Sequence, residues 1–227
     1  MKKIVIFGES HTRSFAHIDN LIPVFMDSGK TINLDDNNIK NVINKIKNLK
    51  DKLPEDEYIF FTFLGEPNVR FQLDSDWNIH KRKNFKGNNK INKEYLDRCI
   101  ENYKKIFNEL GYISYIITPT TAYKPSLESL NYFNKKLKEI MGDKVIDIFS
   151  HTIDGKTVKD SFRDPDFKSD PIHLNSKIVD VFFNQLVVNK IFTKEEVAKF
   201  TKNKDLVYAN NLKNIFHKNK FGTFNLK

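Results

Sequence analysis

Short, nearly continuous apolar runs alternate along this chain with longer segments in which apolar residues return every three or four positions. The runs Ile4–Phe7, Tyr58–Phe63, Tyr112–Thr118 and Val145–Phe149 read as strands. Between them, Ile39, Val42, Ile43, Ile46, Leu49 and Leu53 mark one helix. Tyr95, Cys99, Ile100, Tyr103, Ile106, Phe107 and Leu110 mark another that stops at Gly111, a natural residue for leaving a helix. A third begins at Ser126 as N-cap and runs through Leu130, Phe133 and Leu137 to Gly142, and a fourth spans Leu174–Asn189. Thr193 and Glu196 have the spacing of a capping box, which opens a short extra helix. Thr31–Leu34 is the candidate for a fifth strand.

Strands that are apolar on both faces and alternate with helices predict an α/β fold, a mostly parallel sheet of about five strands covered on both sides. Sheets of this kind bind ligands outside the carboxyl ends of their strands, so a functional residue is expected just after a strand. The expected organisation is a body over residues 1–190 and a basic C-terminal helix and tail over 191–227, without internal repeats.

With 227 residues, 39% hydrophobic and 20 Phe, the chain carries enough core material for one folded domain. Its single cysteine, Cys99, excludes an internal disulfide and the paired-cysteine zinc spacings, and points to a reduced, cytoplasmic setting. His17, His80, His151 and His217 share no ligand spacing, so no metal or other cofactor is expected. The apolar run after Met1 is too short for a signal sequence. The stretch Ile178–Phe192 is broken by Asp180, Asn184, Gln185 and Lys190, so no membrane span is expected either.

The net charge of +9 is not spread evenly. Residues 80–93 hold six Lys and Arg and no acid, and residues 191–227 hold eight Lys against three acids. These two segments account for more than the whole surplus, which leaves the body near neutral. Nucleic-acid binding would rest on charge alone, because no reading motif accompanies it. The first basic segment is either a solvated excursion or a device that steers an anionic substrate.

Gly8-Glu9-Ser10-His11-Thr12-Arg13 follows the first strand and opens a predicted helix. Gly8 permits a tight turn, and a helix start supplies oriented N–H groups, so Ser10 is either an N-cap or a nucleophile with oxyanion donors beside it. His11, as its sequence neighbour, is expected to pack the loop, and Arg13 to be solvated. Far downstream, Ser169-Asp170-Pro171-Ile172-His173-Leu174-Asn175 stands between the last strand and the last helix. An Asp and a His three apart in a proline-stiffened turn are either a capping turn or a carboxylate that orients an imidazole toward a serine. Glu66 and Arg70 are either an ion pair bracing their loop or, through the guanidinium fork, an anion site. Trp77 suits a sugar platform as well as a loop anchor, and Thr118-Pro119-Thr120-Thr121 is expected at the rim.

Gly8-Glu9-Ser10, Gly65-Glu66-Pro67-Asn68-Val69-Arg70 and Asp170-Pro171-Ile172-His173 resemble, in that order, the first, third and fifth sequence blocks of the SGNH, or GDSL-like, hydrolase superfamily. The resemblance implies a flavodoxin-like three-layer α/β/α sandwich and esterase, lipase or carbohydrate O-acetyl chemistry. It implies Ser10 as nucleophile, His173 as general base and Asp170 as its orienting acid, with Gly8, Gly65, Asn68 and Arg70 around the substrate and oxyanion. The form Gly-Glu-Ser-His followed by Arg and Phe particularly resembles members linked to surface-polysaccharide acetylation and capsule synthesis. The expected partner is thus an acylated carbohydrate or small ester, with an acyl donor if the reaction is a transfer.

This chain departs from the pattern in three places. Glu9 stands where Asp is usual. Gly29 precedes the candidate strand Thr31–Leu34, and no glycine lies between Lys30 and Leu64, so the second-block oxyanion glycine has no counterpart. Pro67 stands where the third block has its oxyanion Asn, with Asn68 one place late. Proline offers neither an N–H nor a polar side chain, and losing one oxyanion donor typically costs about 10²–10³ in turnover. A catalytically degenerate, carbohydrate-binding member of the same fold is therefore the competing reading.

Overall fold

The computed structural model describes residues 1–8, 10–16, 18–25, 36–51, 53–63, 93–111, 115–120, 127–155, 157–163 and 174–201. Five parallel strands, β1 (Lys3–Gly8), β2 (Leu21–Phe25), β3 (Tyr58–Phe63), β4 (Tyr115–Ile117) and β5 (Val145–Ile146), form one sheet in the order β2-β1-β3-β4-β5. The helices are α1 (Asp36–Lys50), α2 (Lys93–Leu110), α3 (Leu127–Met141), α4 (Phe149–Thr152), α5 (Lys177–Val188) and α6 (Lys194–Val197). A small antiparallel hairpin, β6 (Ile153–Asp154) with β7 (Thr157–Val158), stands apart from the sheet. This strand order in a parallel sheet is the flavodoxin-like arrangement.

The alternation of side chains along each strand divides the core in two. Ile4 and Ile6 of β1, Phe61 and Phe63 of β3, Ile117 and Ile146 face one layer, built on Ile178, Phe182 and Leu186 of α5 and on Leu127 and Leu130 of α3. Val5, Phe7, Val24, Phe60, Ile116 and Val145 face the other, built on α1, α2 and Phe133 and Leu137 of α3. Both faces are covered, which is why these strands read as unbroken apolar runs.

The second strand is one that the sequence reading did not pick out. It is Leu21–Phe25, whereas Thr31–Leu34 lies outside the described residues. Pro23, aligned with Ile6, sits inside β2, and a proline is tolerated in a strand that has a neighbour on one side only, as β2 does in this order. The first crossover differs as well. Residues 9–20 must leave β1, bury Phe15 and Ile18 and turn at Asn20 (φ 64°) into β2, which leaves room for a 3₁₀ turn, Ser10–Phe15, in place of an α-helix. At the other end, the predicted run to Phe149 stops early, because Phe149 already opens α4.

Beyond α5 the chain continues the same core. Phe192 and Phe200 are buried, with Phe200 5.3 Å from Phe183 between ring centroids. The capping box opens α6: the Thr193 N–H donates to Glu196 Oε2 at 2.8 Å and the Glu196 N–H to Thr193 Oγ1 at 3.1 Å. Thr201 accepts from the Asp19 N–H at 2.9 Å and donates through Oγ1 to Asp19 Oδ2 at 2.8 Å, tying this end to the entry of β2.

Gly8 closes β1 where three pieces of backbone converge. It pairs in register with Phe25 on one side and Phe63 on the other. A Cβ there would lie 2.2 Å from the Phe63 carbonyl oxygen and 2.5 Å from Thr12 Cγ2. Gly111 (φ 53°) has no heavy atom within 4 Å of its Cβ position. In urea unfolding, Gly8→Ala is expected to lose about 3 kcal/mol, because a backbone carbonyl cannot step aside. Gly111→Ala should lose only about 1 kcal/mol, the strain of the left-handed conformation. Equal losses would refute the close-approach argument.

Candidate functional site

In this strand order the chain leaves β1 toward one edge of the sheet and returns to lay β3 on the opposite side. The crevice at that reversal lies outside the carboxyl ends of β1 and β3, which is where such sheets receive ligands. Gly8 and Phe63, the last residues of the two strands, are register partners. Ser10 follows the first by two residues and Gly65 follows the second by two, so both sequence blocks leave the sheet at the same point.

The turn that begins with Ser10 is firmly seated. His11, Thr12, Ser14 and Phe15 are all buried. The His11 ring lies 5.9 Å from Phe63, and Phe15 meets Phe63 edge-on at 6.1 Å and Phe182 of α5 at 5.2 Å. Because the turn is 3₁₀ and six residues long, the helix-start dipole expected beside Ser10 is not a feature of this fold. What positions Ser10 is the packing of the residues that follow it.

Of the residues singled out in the sequence, Gly8 is fully described and Ser10 through its backbone. Gly65, Asn68, Arg70, Asp170 and His173 lie outside the described residues, as do Glu9, Glu66, Pro67, Trp77, the basic stretch before Lys93 and the tail from residue 202. The segment bearing Asp170 and His173 leaves the described chain at Arg163 and returns at Leu174, a core residue. It then enters α5, the helix whose Phe182 packs on the Ser10 turn. In the sequence Gly29 follows β2 by four residues.

The neighbouring strand ends are pinned by a polar network with no simple sequence signal. Thr118 Oγ1 accepts from the Ile148 and Phe149 N–H groups, each at 2.9 Å. Asp147 accepts from the Ser150 N–H at 3.1 Å and the Ser150 hydroxyl at 2.6 Å, and is paired with Lys138. Thr152 donates to Phe149 O, so its contact with Thr120 at 3.2 Å uses the Thr120 proton. Asn134 donates to Pro119 O at 2.9 Å. Thr118 and Thr120 are therefore interior staples between β4 and the start of α4, and the expectation of a rim is corrected. Thr118 Oγ1 reaches backbone N–H groups left unpaired where β5 stops, which is a tertiary fact that local sequence does not carry. A separate open groove between α2 and α3, lined by Asp97, Arg98, Tyr132 and Lys136, contains none of the candidate residues.

Among the described residues no helix is long and apolar enough to cross a membrane, and no three His, Cys, Asp or Glu side chains gather as a metal site. The chain is similar in structure to a "putative acylhydrolase" from Bacteroides fragilis NCTC 9343. The TM-score is 0.53 at 15% identity, over 84% of this chain and 88% of that one. At that identity the likeness shows the shared α/β/α fold. No protein-family model matches the chain, and no curated protein does.

Burial works against the ionised form of Asp147, but hydrogen bonds from Lys138 and Ser150 outweigh it and hold its carboxyl below the usual value. A carboxyl that is more acidic in the folded state stabilises fully above its unfolded pKa, and that contribution is lost as pH falls through the folded one. Thermal midpoints are expected to fall on acidification below about pH 4. Asp147→Asn should start lower at neutral pH and descend less steeply. An unchanged acid slope in that variant would show that other groups govern acid unfolding.

Proposed function

We propose that the protein is an SGNH-type serine esterase or O-acyltransferase that acts on O-acyl groups, O-acetyl above all, of a carbohydrate. The observation that carries this reading is the position of Ser10, two residues beyond the carboxyl end of β1 at the reversal of strand order. The turn it opens packs through Phe15 on the helix that follows the Asp170/His173 block. The acylhydrolase description of the structural neighbour supports the same chemistry. The carbohydrate substrate rests on the first block, Gly8-Glu9-Ser10-His11 followed by Arg13 and Phe15.

In this mechanism Ser10 Oγ attacks the acyl carbonyl carbon while His173 takes the hydroxyl proton and Asp170 holds the imidazole in the required tautomer. The tetrahedral intermediate collapses, the bond to the sugar oxygen breaks, and His173 returns the proton to that leaving oxygen. The acyl-enzyme is then attacked by water or by another sugar hydroxyl, with His173 again taking the proton, and Ser10 is released. Gly8, Gly29 and Gly65 supply backbone N–H groups to the oxyanion, and Asn68 or Arg70 takes the part that Pro67 cannot. In this reading Gly29 answers one of the two grounds for a degenerate binding protein. Pro67 is the other.

A fluorophosphonate probe separates the two readings. The enzyme is expected to be labelled at Ser10, and Ser10→Ala and His173→Ala should each lower hydrolysis of a short-chain acyl ester by about 10³-fold or more. Glycan binding without any labelling would instead establish the degenerate protein. Ester turnover unaffected by Ser10→Ala would remove the assignment of the nucleophile.

A further inference from the structure

The outer face of α2 carries a charge pattern that neither the core nor the proposed reaction uses. Glu94, Asp97, Arg98, Glu101 and Lys105 recur at helical spacing along one stripe, and with Asn102 they line the open groove beside α3. Across that groove stand Lys136, Tyr132, whose hydroxyl donates to Asp97 Oδ1 at 2.9 Å, and Ile140, which is 43% exposed. Three acids and three bases therefore share this face, in a chain whose net charge is +9. A face so balanced favours neither a polyanion nor a polycation. Among the described residues, Glu94 and Arg98 form no ion pair, although they stand four apart on the helix. Glu101 lies 3.8 Å from Lys104, an exposed contact that costs little to exchange.

What this stripe complements is a second copy of itself. When two copies of one helix pack antiparallel about a two-fold axis, residues equidistant from the axis on opposite sides face each other, and each contact occurs twice. An axis crossing α2 between residues 99 and 100 sets Arg98 against Glu101 of the second copy, Glu94 against its Lys105 and Asp97 against its Asn102. Every one of these contacts is complementary, and Asp97 keeps Oδ2 for its own because Tyr132 takes Oδ1. An axis on residue 101 would instead oppose Arg98 to Lys104 and Glu101 to itself. We infer that the α2 face is the interface of a symmetric homodimer in the first of these registers, with Ile140 adding apolar area beside the charged seam. Eighteen residues make α2 about 27 Å long, and with α3 alongside, the face is on the order of 500 Å². That is below the ~800 Å² per copy of a standard interface, so the dimer is reversible, with Kd on the order of 10 μM.

Sedimentation equilibrium of the full chain tests this surface without reference to catalysis, so its outcome is separate from that of the serine-enzyme reading. Arg98→Glu places like charges at both occurrences of the Arg98–Glu101 contact, and Glu101→Arg does so with the opposite sign. Each is expected to weaken self-association by about 10-fold to 100-fold. Both positions are exposed, so thermal midpoints should stay within about 2 °C of the wild type. An equimolar mixture of the two variants should recover the wild-type affinity, because in the mixed dimer each of these contacts again joins opposite charges. Mixing Arg98→Glu with Glu94→Lys, which brings the same charges in the wrong register, should not. Glu94→Lys with Lys105→Glu forms an independent mixed pair with the same expected recovery. A wild-type chain that stays monomeric at ~1 mM would overturn the proposal. So would self-association that Arg98→Glu leaves unchanged, or complementary mixtures that stay dissociated.

Discussion

The approach of β1 to β3 at Gly8 is the constraint on which the rest of this molecule turns. The Phe63 carbonyl and the Thr12 side chain occupy the space that any side chain at residue 8 would need. Because nothing larger than hydrogen stands there, the turn after β1 folds back directly over the end of β3. His11 and Phe15 can then both rest on Phe63. Ser10 is carried to the carboxyl edge by this packing, and the six-residue 3₁₀ turn contributes little dipole of its own.

A second layer of contacts ties that turn to α5, the helix that follows the downstream block in the sequence. Phe182 of α5 touches Phe15 of the turn and Phe61 of β3, each at 5.2–5.3 Å between centroids, so one aromatic residue joins the helix, the turn and the sheet. Burial of such rings is nondirectional, and it holds elements together without aiming them. Aiming is the work of the polar groups: Thr118 and Asp147 at the ends of β4 and β5, and Asn175, whose Oδ1 accepts from the Lys177 N–H at the entry of α5. Their bonds run to backbone groups that end-of-strand and start-of-helix geometry leaves unpaired, where an unmet donor would be costly.

The charge distribution fits this division. The basic stretch follows β3 in the sequence, while the near-neutral body holds its charges in exposed pairs such as Lys47 with Glu109. Pairs of that kind are worth little to stability. Phe192 and Phe200, from the segment that composition groups with a basic tail, pack in the aromatic core beside α5, and Thr201 reaches back to Asp19 at the entry of β2.

The sequence by itself determined the class of fold, because apolar runs flanked by helical periodicity leave few ways to bury both faces of a sheet. Gly111, Gly142 and the Thr193–Glu196 box were legible for the same reason: helix ends are local chemistry, read from a few adjacent residues. The second strand was not, since Pro23 argues against a strand until β2 is known to lie at the edge of the sheet. That single displacement puts Gly29 after a strand in the sequence. The buried staples Thr118 and Thr120 and the bonds of Asn175 to the Ser161 and Arg163 carbonyls were equally hidden. Their partners lie on other elements or across a loop, and a hydrogen bond to a distant group leaves no periodicity behind. Ser10, Asp170 and His173 stood out in the sequence as residue types with the right spacing. Only the tertiary structure decided that the turn opened by Ser10 packs on α5, the helix that follows the other two in the sequence, through the rings of Phe15 and Phe182.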